Sequence, residues 1–134
     1  MTPTLWVHLA PLSVIPLSML ALLKTTGDAS LLRYGSLVAA AFLGAALWWL
    51  VLAVSMTIHN RRQGKLPFAL SWWAFVFPIG ACSVLAYRVS ELLALEVLPL
   101  VASGLTLLAF FVWSATALGT VRGIRTGAIF APAH

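Results

Sequence analysis

The sequence predicts an all-α integral membrane protein in which four transmembrane helices form two hairpins. Hydrophobic residues make up 62% of the chain and charged residues only 8%, whereas a soluble domain is about 25% charged. The apolar residues fall into four stretches, each with the roughly 20 residues that a helix needs to cross the hydrocarbon of a bilayer. Lipid offers the backbone no hydrogen-bond partners, so each stretch is predicted to be helical.

The predicted spans, which we call A to D, cover residues 5–23, 31–58, 68–89 and 95–121. Their connections are short, so residues 1–134 are predicted to belong to one membrane domain. Span A begins close to Met1 without a basic segment or a small-residue cleavage site, which argues against a cleaved signal peptide. Before span B, Asp28 or Ser30 is placed to cap the helix.

Interior prolines distinguish the first helix of each predicted hairpin from the second. Span A contains Pro11 and Pro16, and span C contains Pro78, whereas span B has no proline and span D has only Pro99 near its start. An interior proline removes one helix hydrogen bond and crowds the carbonyl four residues earlier. The crowded carbonyls are those of Val7, Leu12 and Ala74. Each hairpin is therefore predicted to join a kinked helix to a straighter one.

The charged residues cluster at the ends of the spans, which suits lipid headgroups and argues against a nucleic-acid partner. Lysine and arginine are enriched in cytoplasmic loops of membrane proteins. The connection between spans B and C and the C-terminal tail hold most of these residues, namely Arg61, Arg62, Lys65, Arg122 and Arg125. The pattern predicts a multi-pass protein of the cell membrane with both termini in the cytoplasm.

Span C carries the most distinctive stretch, SWWAFVFPIG, at residues 71–80. At 100° per residue, one face of the helix groups Phe77 with Leu70, Trp73, Ala74, Gly80, Ala81, Val84 and Arg88, while Phe75 points nearly the opposite way. One interpretation is a narrow pathway blocked by Phe77, because hydrophobic constrictions gate pores, with Arg88 attracting anions at the outer mouth. The alternative is that the small residues let a neighbouring helix approach closely and that Arg88 snorkels to the headgroups.

The stretch SWWAFVFPIGACSVLAYRV resembles the penultimate helix of the tellurite-resistance/dicarboxylate transporter family, which includes malate transporters, sulfite-efflux proteins and slow-type anion channels. The family pattern is matched by Trp72, Trp73, Ala74, Phe75, Phe77 and Pro78. The stretch LWVHLAPLSVIPLSML is similar to the family's seventh helix, and GIRTGAIFAP resembles its C-terminal exit. Most of the chain is covered by the resemblance, although only residues 71–80 are specific.

The resemblance implies a ten-helix bundle of five hairpins around a pseudo-five-fold axis, in which spans A to D are helices seven to ten. Spans A and C would line a central pore, and the pore phenylalanine falls on Phe77, with Ala10 at the equivalent place in span A. The implied function is transport of small anions, such as C4-dicarboxylate, tellurite, sulfite or an inorganic anion. The implied partners are membrane lipid, the missing pore helices, from the rest of the chain or from a partner chain, and two further copies in a homotrimer.

The other residue patterns argue against an enzyme and against a bound cofactor or metal. The three acidic residues, Asp28, Glu91 and Glu96, lie in connections or at span ends, so no carboxylate pair is placed for acid–base catalysis. His8 and His59 lie at helix ends, and no Cys/His cluster has metal-ligand spacing. Two other functions are weighed. A four-helix drug exporter needs a glutamate in its first helix, which span A lacks, and a non-transporting scaffold subunit remains open.

Overall fold

The structure is a computed structural model that describes residues 2–64 and 72–127, the side chains of residues 2–4 excepted. The described residues form helices and short turns. The five helices are α1 (Thr2–Val7), α2 (Leu9–Thr25), α3 (Ala29–Arg62), α4 (Trp73–Leu93) and α5 (Leu98–Thr126). Four segments are long and apolar enough to cross a membrane, and they correspond to the four predicted spans. The predicted all-α membrane fold is confirmed.

Span A is divided into α1 and α2 by a turn at His8. The break lies next to Val7, whose carbonyl the ring of Pro11 was predicted to crowd. Pro11 itself lies in the first turn of α2, where a missing N–H costs nothing because helix-start N–H groups have no partner within the helix. Pro16, in contrast, lies inside α2, which continues past it. Span A, which was predicted as one bent helix, is therefore a short helix followed by a longer one.

Helix α3 is the longest, and its start is fixed by Asp28. The Asp28 Oδ1 atom accepts hydrogen bonds from the backbone N–H groups of Ser30 (2.8 Å) and Leu31 (3.2 Å). Of the two predicted capping residues, Asp28 is therefore the cap. The helix has 34 residues, or about 51 Å at 1.5 Å per residue, and continues to Arg62 beyond the predicted end at residue 58. Apolar composition marks the membrane-spanning part, whereas the helix itself continues into the basic residues.

The second hairpin consists of α4 and α5. Helix α4 ends at Leu93, followed by Ala94 in a left-handed conformation (φ 52°). Helix α5 has Pro99 in its first turn and continues to Thr126, where Gly127 supplies the left-handed residue (φ 69°) that terminates many helices. The predicted start of span C at residue 68 lies outside the described residues, as do Leu70 and Lys65.

Helix α4 lies at the centre of the arrangement, in contact with all the other helices. The most extensive contacts join α4 to α5 and α2 to α3, the two predicted hairpins. Helix α3 packs against both α2 and α4, whereas the main contact of α5 is with α4. We call the end that carries connections 26–28 and 94–97 the turn end, and the opposite end, with α1 and the last turns of α3 and α5, the terminal end.

Candidate functional site

Helix α4 has one packed face and one open face. The packed face consists of the buried residues Phe75, Pro78, Ile79, Cys82, Ser83, Leu85, Ala86 and Val89. The open face consists of the described residues of the predicted stripe, Trp73, Ala74, Phe77, Gly80, Ala81, Val84 and Arg88, of which none is buried. The helical periodicity therefore places these residues on one face as predicted, since the packed residues fall on the other side of the same helix.

Phe77 is the most exposed aromatic residue of the open face. Its side chain is 65% exposed, compared with 39% for Trp73 and 50% for Val84. Above the ring, Gly80 leaves open space, since an added Cβ atom there would meet no other atom within 4 Å. Phe77 lies six residues from the midpoint of the described helix α4, or about 9 Å along the axis, in the half nearer the terminal end. The Phe77 ring therefore lies next to a row of small side chains on the open face.

Phe75 lies on the packed face and shows how differently two neighbouring phenylalanines are placed. Its ring is 4% exposed and lies 5.2 Å from the ring of Trp6 and 5.8 Å from that of Trp72, measured between centroids. The Trp6 indole N–H donates to Thr57 Oγ1 at 2.9 Å, which connects this aromatic cluster to α3. Phe75 therefore belongs to the packing at the terminal end, as the helical angle predicted.

The three predicted kink residues differ in their surroundings. The rings of Pro16 and Pro78 are buried, whereas Pro11 is exposed. Pro78 therefore does not face the open side, although it directly follows Phe77 in sequence. Because a proline nitrogen has no hydrogen to donate, the carbonyl of Ala74 loses its usual helix partner. Pro78 thus alters the backbone next to Phe77 while its own ring packs against neighbouring helices.

Trp73 is held by a contact that the sequence did not predict. Its indole N–H donates to Thr120 Oγ1 on α5 at 3.2 Å, and Thr120 Oγ1 in turn donates to the carbonyl of Thr116 at 2.8 Å. The bond fixes the indole at the edge of the open face, one helical turn before Phe77. A threonine near the end of a straight apolar helix gives no signal of this role in the sequence alone.

Hydroxyl groups connect α4 to its neighbours on the packed side. Ser83 Oγ lies 2.9 Å from the carbonyl oxygen of Ala102, to which it donates, and 2.7 Å from Thr106 Oγ1 on α5. Ser13 on α2 is fully buried; its hydroxyl donates to the carbonyl of Leu9 in its own helix at 3.1 Å and lies near the Cys82 thiol of α4. In lipid, such bonds between helices compensate for the weak hydrophobic drive for helix association. The sequence alone does not indicate which neighbour each of these serines contacts.

Arg88 lies at the turn end of the open face and is partly engaged. Its Nη1 atom donates to Glu91 Oε2 at 3.0 Å, one helical turn further along α4, and the two side chains are 56% and 65% exposed. Arg88 and Glu91 also line a cavity of about 280 Å³ between α2, α4 and the start of α3. The other residues of its lining are Leu17, Leu20, Ala21, Lys24, Leu32 and Leu92. The assignment of Arg88 to the outer mouth of a pore stays a prediction, and nothing in the sequence indicated that Lys24 and Glu91 line the same cavity as Arg88.

The described residues contain no group of three His, Cys, Asp or Glu side chains that could hold a metal ion. His8 packs against Trp49, with ring centroids 5.8 Å apart and the ring planes tilted by 45°, and His59 contacts the Gln63 amide at 2.8 Å. All three acidic residues of the chain lie at the turn end, whereas four arginines lie at the terminal end. The latter are Arg61, Arg62, Arg122 and Arg125.

Among known proteins, this chain is similar to a family of anion channels and to two transporters. The family described as voltage-dependent anion channel, SLAC1, has a sequence model that matches residues 1–121. Two uncharacterized transporters of Methanocaldococcus jannaschii are 30% and 29% identical to the chain over 130 residues. Each alignment covers 97% of this chain but 38% of the relative, so the chain spans well under half the length of these relatives. No solved structure matches the chain.

Proposed function

The chain belongs to the voltage-dependent anion channel family, and from that premise we propose that the complete protein carries small anions across the membrane through a pore gated by Phe77. The chain supplies four of the membrane-spanning segments, as part of one membrane domain. The related transporters agree with a transport function rather than an enzymatic one. The proposal covers the whole protein, of which this chain is about two fifths if its length follows that of the relatives.

The observation that carries the proposal is the 65% exposure of Phe77 on the open face of α4. Phe75, on the same helix, packs where helices meet. Phe77 instead stands beside Ala74, Gly80 and Ala81, whose small side chains leave room along the face. A single bulky ring in a row of small side chains is suited to form a hydrophobic constriction. Such a constriction excludes water and ions until the Phe77 ring rotates aside. Pro78, by weakening the helix next to Phe77, gives the backbone a bend at this point.

The open face supports passage of anions rather than tight binding. Arg88 is the one charged residue among those that define this face, and it lies at the turn end instead of beside Phe77. An anion would therefore be attracted to the mouth and held weakly further in. This pattern fits C4-dicarboxylate, tellurite, sulfite or inorganic anions as the substrate class.

The remaining pore wall is proposed to come from helices outside this chain segment, in the same polypeptide or in a partner chain. Helix α3 lies behind both α2 and α4, whereas α5 has its main contact with α4, which leaves the far side of α5 open to a further hairpin. The window of α5 that is apolar enough to span is only 11% buried. Lipid and further helices would cover it, and the complete protein is proposed to form a homotrimer.

The charges favour a cell-membrane protein with the terminal end in the cytoplasm. Arg61, Arg62, Arg122 and Arg125 concentrate there, and the acidic residues at the turn end balance its cations. Because cytoplasmic ends of membrane proteins are enriched in lysine and arginine, both chain termini are proposed to face the cytoplasm.

The test is the substitution Phe77→Ala in the complete protein, reconstituted in liposomes with a chloride- or nitrate-sensitive dye. Removing the ring is expected to raise the anion flux about tenfold or more, which corresponds to a barrier lowered by roughly 1.4 kcal/mol. The matched control is Phe111→Ala, since Phe111 is 71% exposed and lies on α5, which carries none of the proposed pore-lining residues. The control is expected to leave the flux unchanged.

Two outcomes contradict the proposal. Unchanged flux in a folded Phe77→Ala protein would remove Phe77 as the gate. An absence of anion flux in the wild type and in every variant would instead favour the scaffold function, in which the helices support a larger complex without conducting.

A further inference from the structure

The cavity at the turn end brings together two cations from different helices. Lys24 lies in the last turn of α2 and Arg88 near the end of α4, and both line the cavity of about 280 Å³. They are 64 residues apart in the sequence and line the same cavity only because α2 and α4 pack side by side. The rest of the lining is mostly leucine, so few other polar groups compete for a guest. The cavity thus combines two positive charges with apolar walls.

Glu91 is the one acidic residue in this lining. Its carboxylate forms an ion pair with Arg88, with 3.0 Å between Glu91 Oε2 and Arg88 Nη1. Both side chains of the pair are more than half exposed, and exposed pairs of this kind contribute only about 0–1 kcal/mol. An anion that enters the cavity can therefore replace Glu91 on Arg88 at small cost. Among the described residues Lys24 has no ion-pair partner, so its charge is available to the same anion.

We propose that Lys24 and Arg88 form an anion-capture site at the turn end, and that Glu91 acts as a built-in competing carboxylate that keeps the site weak. The inference rests on the proposed transport function, for which the site provides the first binding step. A weak site suits conduction, since an ion must leave as readily as it binds. Glu91 holds Arg88 over the cavity when no anion is present and returns to it when the anion moves on.

The experiment compares three charge variants of the complete protein in the Phe77→Ala background, where flux is high. Chloride is varied on each side of a planar bilayer in turn, and the half-saturating concentration is measured. Glu91→Gln is expected to lower this concentration about threefold, within the range of one exposed charge interaction. Lys24→Gln and Arg88→Gln are expected to raise it by a similar factor. Each change should occur only when chloride is varied on the turn-end side.

Matched controls separate the site from the overall surface charge. Glu96→Gln removes an acid that does not line the cavity, and Arg33→Gln removes a cation at the same end that lines neighbouring surface depressions instead. Both are expected to change the half-saturating concentration less than 1.5-fold, about the limit of a long-range screened effect. If Glu96→Gln acts as strongly as Glu91→Gln, or if Lys24→Gln and Arg88→Gln have no effect, the site is disproved.

A second measurement keeps the inference independent of flux. Line broadening of the ³⁵Cl NMR signal reports chloride binding to the purified protein in detergent. The double variant Lys24→Gln/Arg88→Gln should reduce the broadening, and Glu91→Gln should increase it. If no variant conducts but these changes occur, the proposed transport function fails while the binding site is supported. If the broadening is the same in all variants, the binding site fails whatever the flux results.

Discussion

The two faces of α4 are made of similar residues but differ in what surrounds them. Phe75, Ile79 and Leu85 on the packed face are nearly or fully buried, whereas Phe77 and Val84 on the open face are at least half exposed. Hydrophobicity does not separate the two sets, because both are apolar. In a membrane the surrounding lipid is as apolar as these side chains, so burial alone does not drive helices together. Packing depends instead on shape complementarity and on interhelical hydrogen bonds.

The difference in hydroxyl content separates the faces better than hydrophobicity. Ser83 on the packed face bonds to α5, and the neighbouring Cys82 faces Ser13 of α2. The residues that define the open face include no serine or threonine. Apart from the bond from Trp73 to Thr120 at the edge of the open face, the bonds from these two faces to other helices come from the packed face, and the proposed constriction is on the other. The helix can therefore hold the fold together with one face while the opposite face changes with function.

The largest expected effect comes from truncating the packed face. Ile79→Ala is expected to lower the free energy of unfolding by about 2–5 kcal/mol, because it leaves a cavity around a side chain with no exposure. Phe77→Ala removes a larger side chain from the open face and should cost less than 1 kcal/mol, roughly the size of a surface change. Both unfolding free energies can be measured on the complete protein in bicelles, with steric trapping as the readout of unfolding.

This pair of variants tests the comparison directly. If Phe77→Ala destabilises the protein as much as Ile79→Ala, then Phe77 is packed against another helix in the complete protein. The open face would then be an interface between helices, as the alternative interpretation of the small residues holds.

The sequence predicted the two faces of α4 because the helical period is a local property. Once a helix is given, 100° per residue determines which residues share a face, and Phe75 and Phe77 separate without any knowledge of neighbours. The number of spans was predictable for a similar reason, since length and apolarity are read along one stretch. Family resemblance added a role for Phe77 that the period alone does not supply.

What the sequence did not predict depends on which helices lie next to each other. The bond from Trp73 to Thr120 joins residues 47 positions apart, and the cavity shared by Lys24 and Arg88 exists only once α2 packs against α4. The break at His8 was missed for a different reason. A proline bends or interrupts a helix depending on the packing of the residues before it, and the sequence does not report that packing.

A smaller effect is expected from the hydrogen bonds of the packed face. Ser83→Ala should destabilise the protein by about 0.6–2 kcal/mol, the range measured for interhelical bonds in membranes. Its hydroxyl reaches the carbonyl of Ala102 and the hydroxyl of Thr106 on α5. Ser55→Ala is the control, because Ser55 is exposed and bonds only within its own helix, to the Val51 carbonyl. Equal unfolding free energies for the two variants would argue against α5 being anchored through Ser83.

The smallest change in stability, and the sharpest test of the open face, is Gly80→Ala. An added methyl group meets no atom within 4 Å at Gly80 and none at Gly44 on α3. Alanine is favoured over glycine inside a helix by about 0.5–1 kcal/mol, so Gly80→Ala and Gly44→Ala should both leave the protein at least as stable as before. Of the two added methyl groups, only the one at position 80 lies in the row of small side chains beside Phe77. Gly80→Ala should therefore lower chloride flux in the Phe77→Ala background, whereas Gly44→Ala should not. Equal flux in the two variants would mean that anions do not pass along the open face, even if Phe77 affects conduction from a distance.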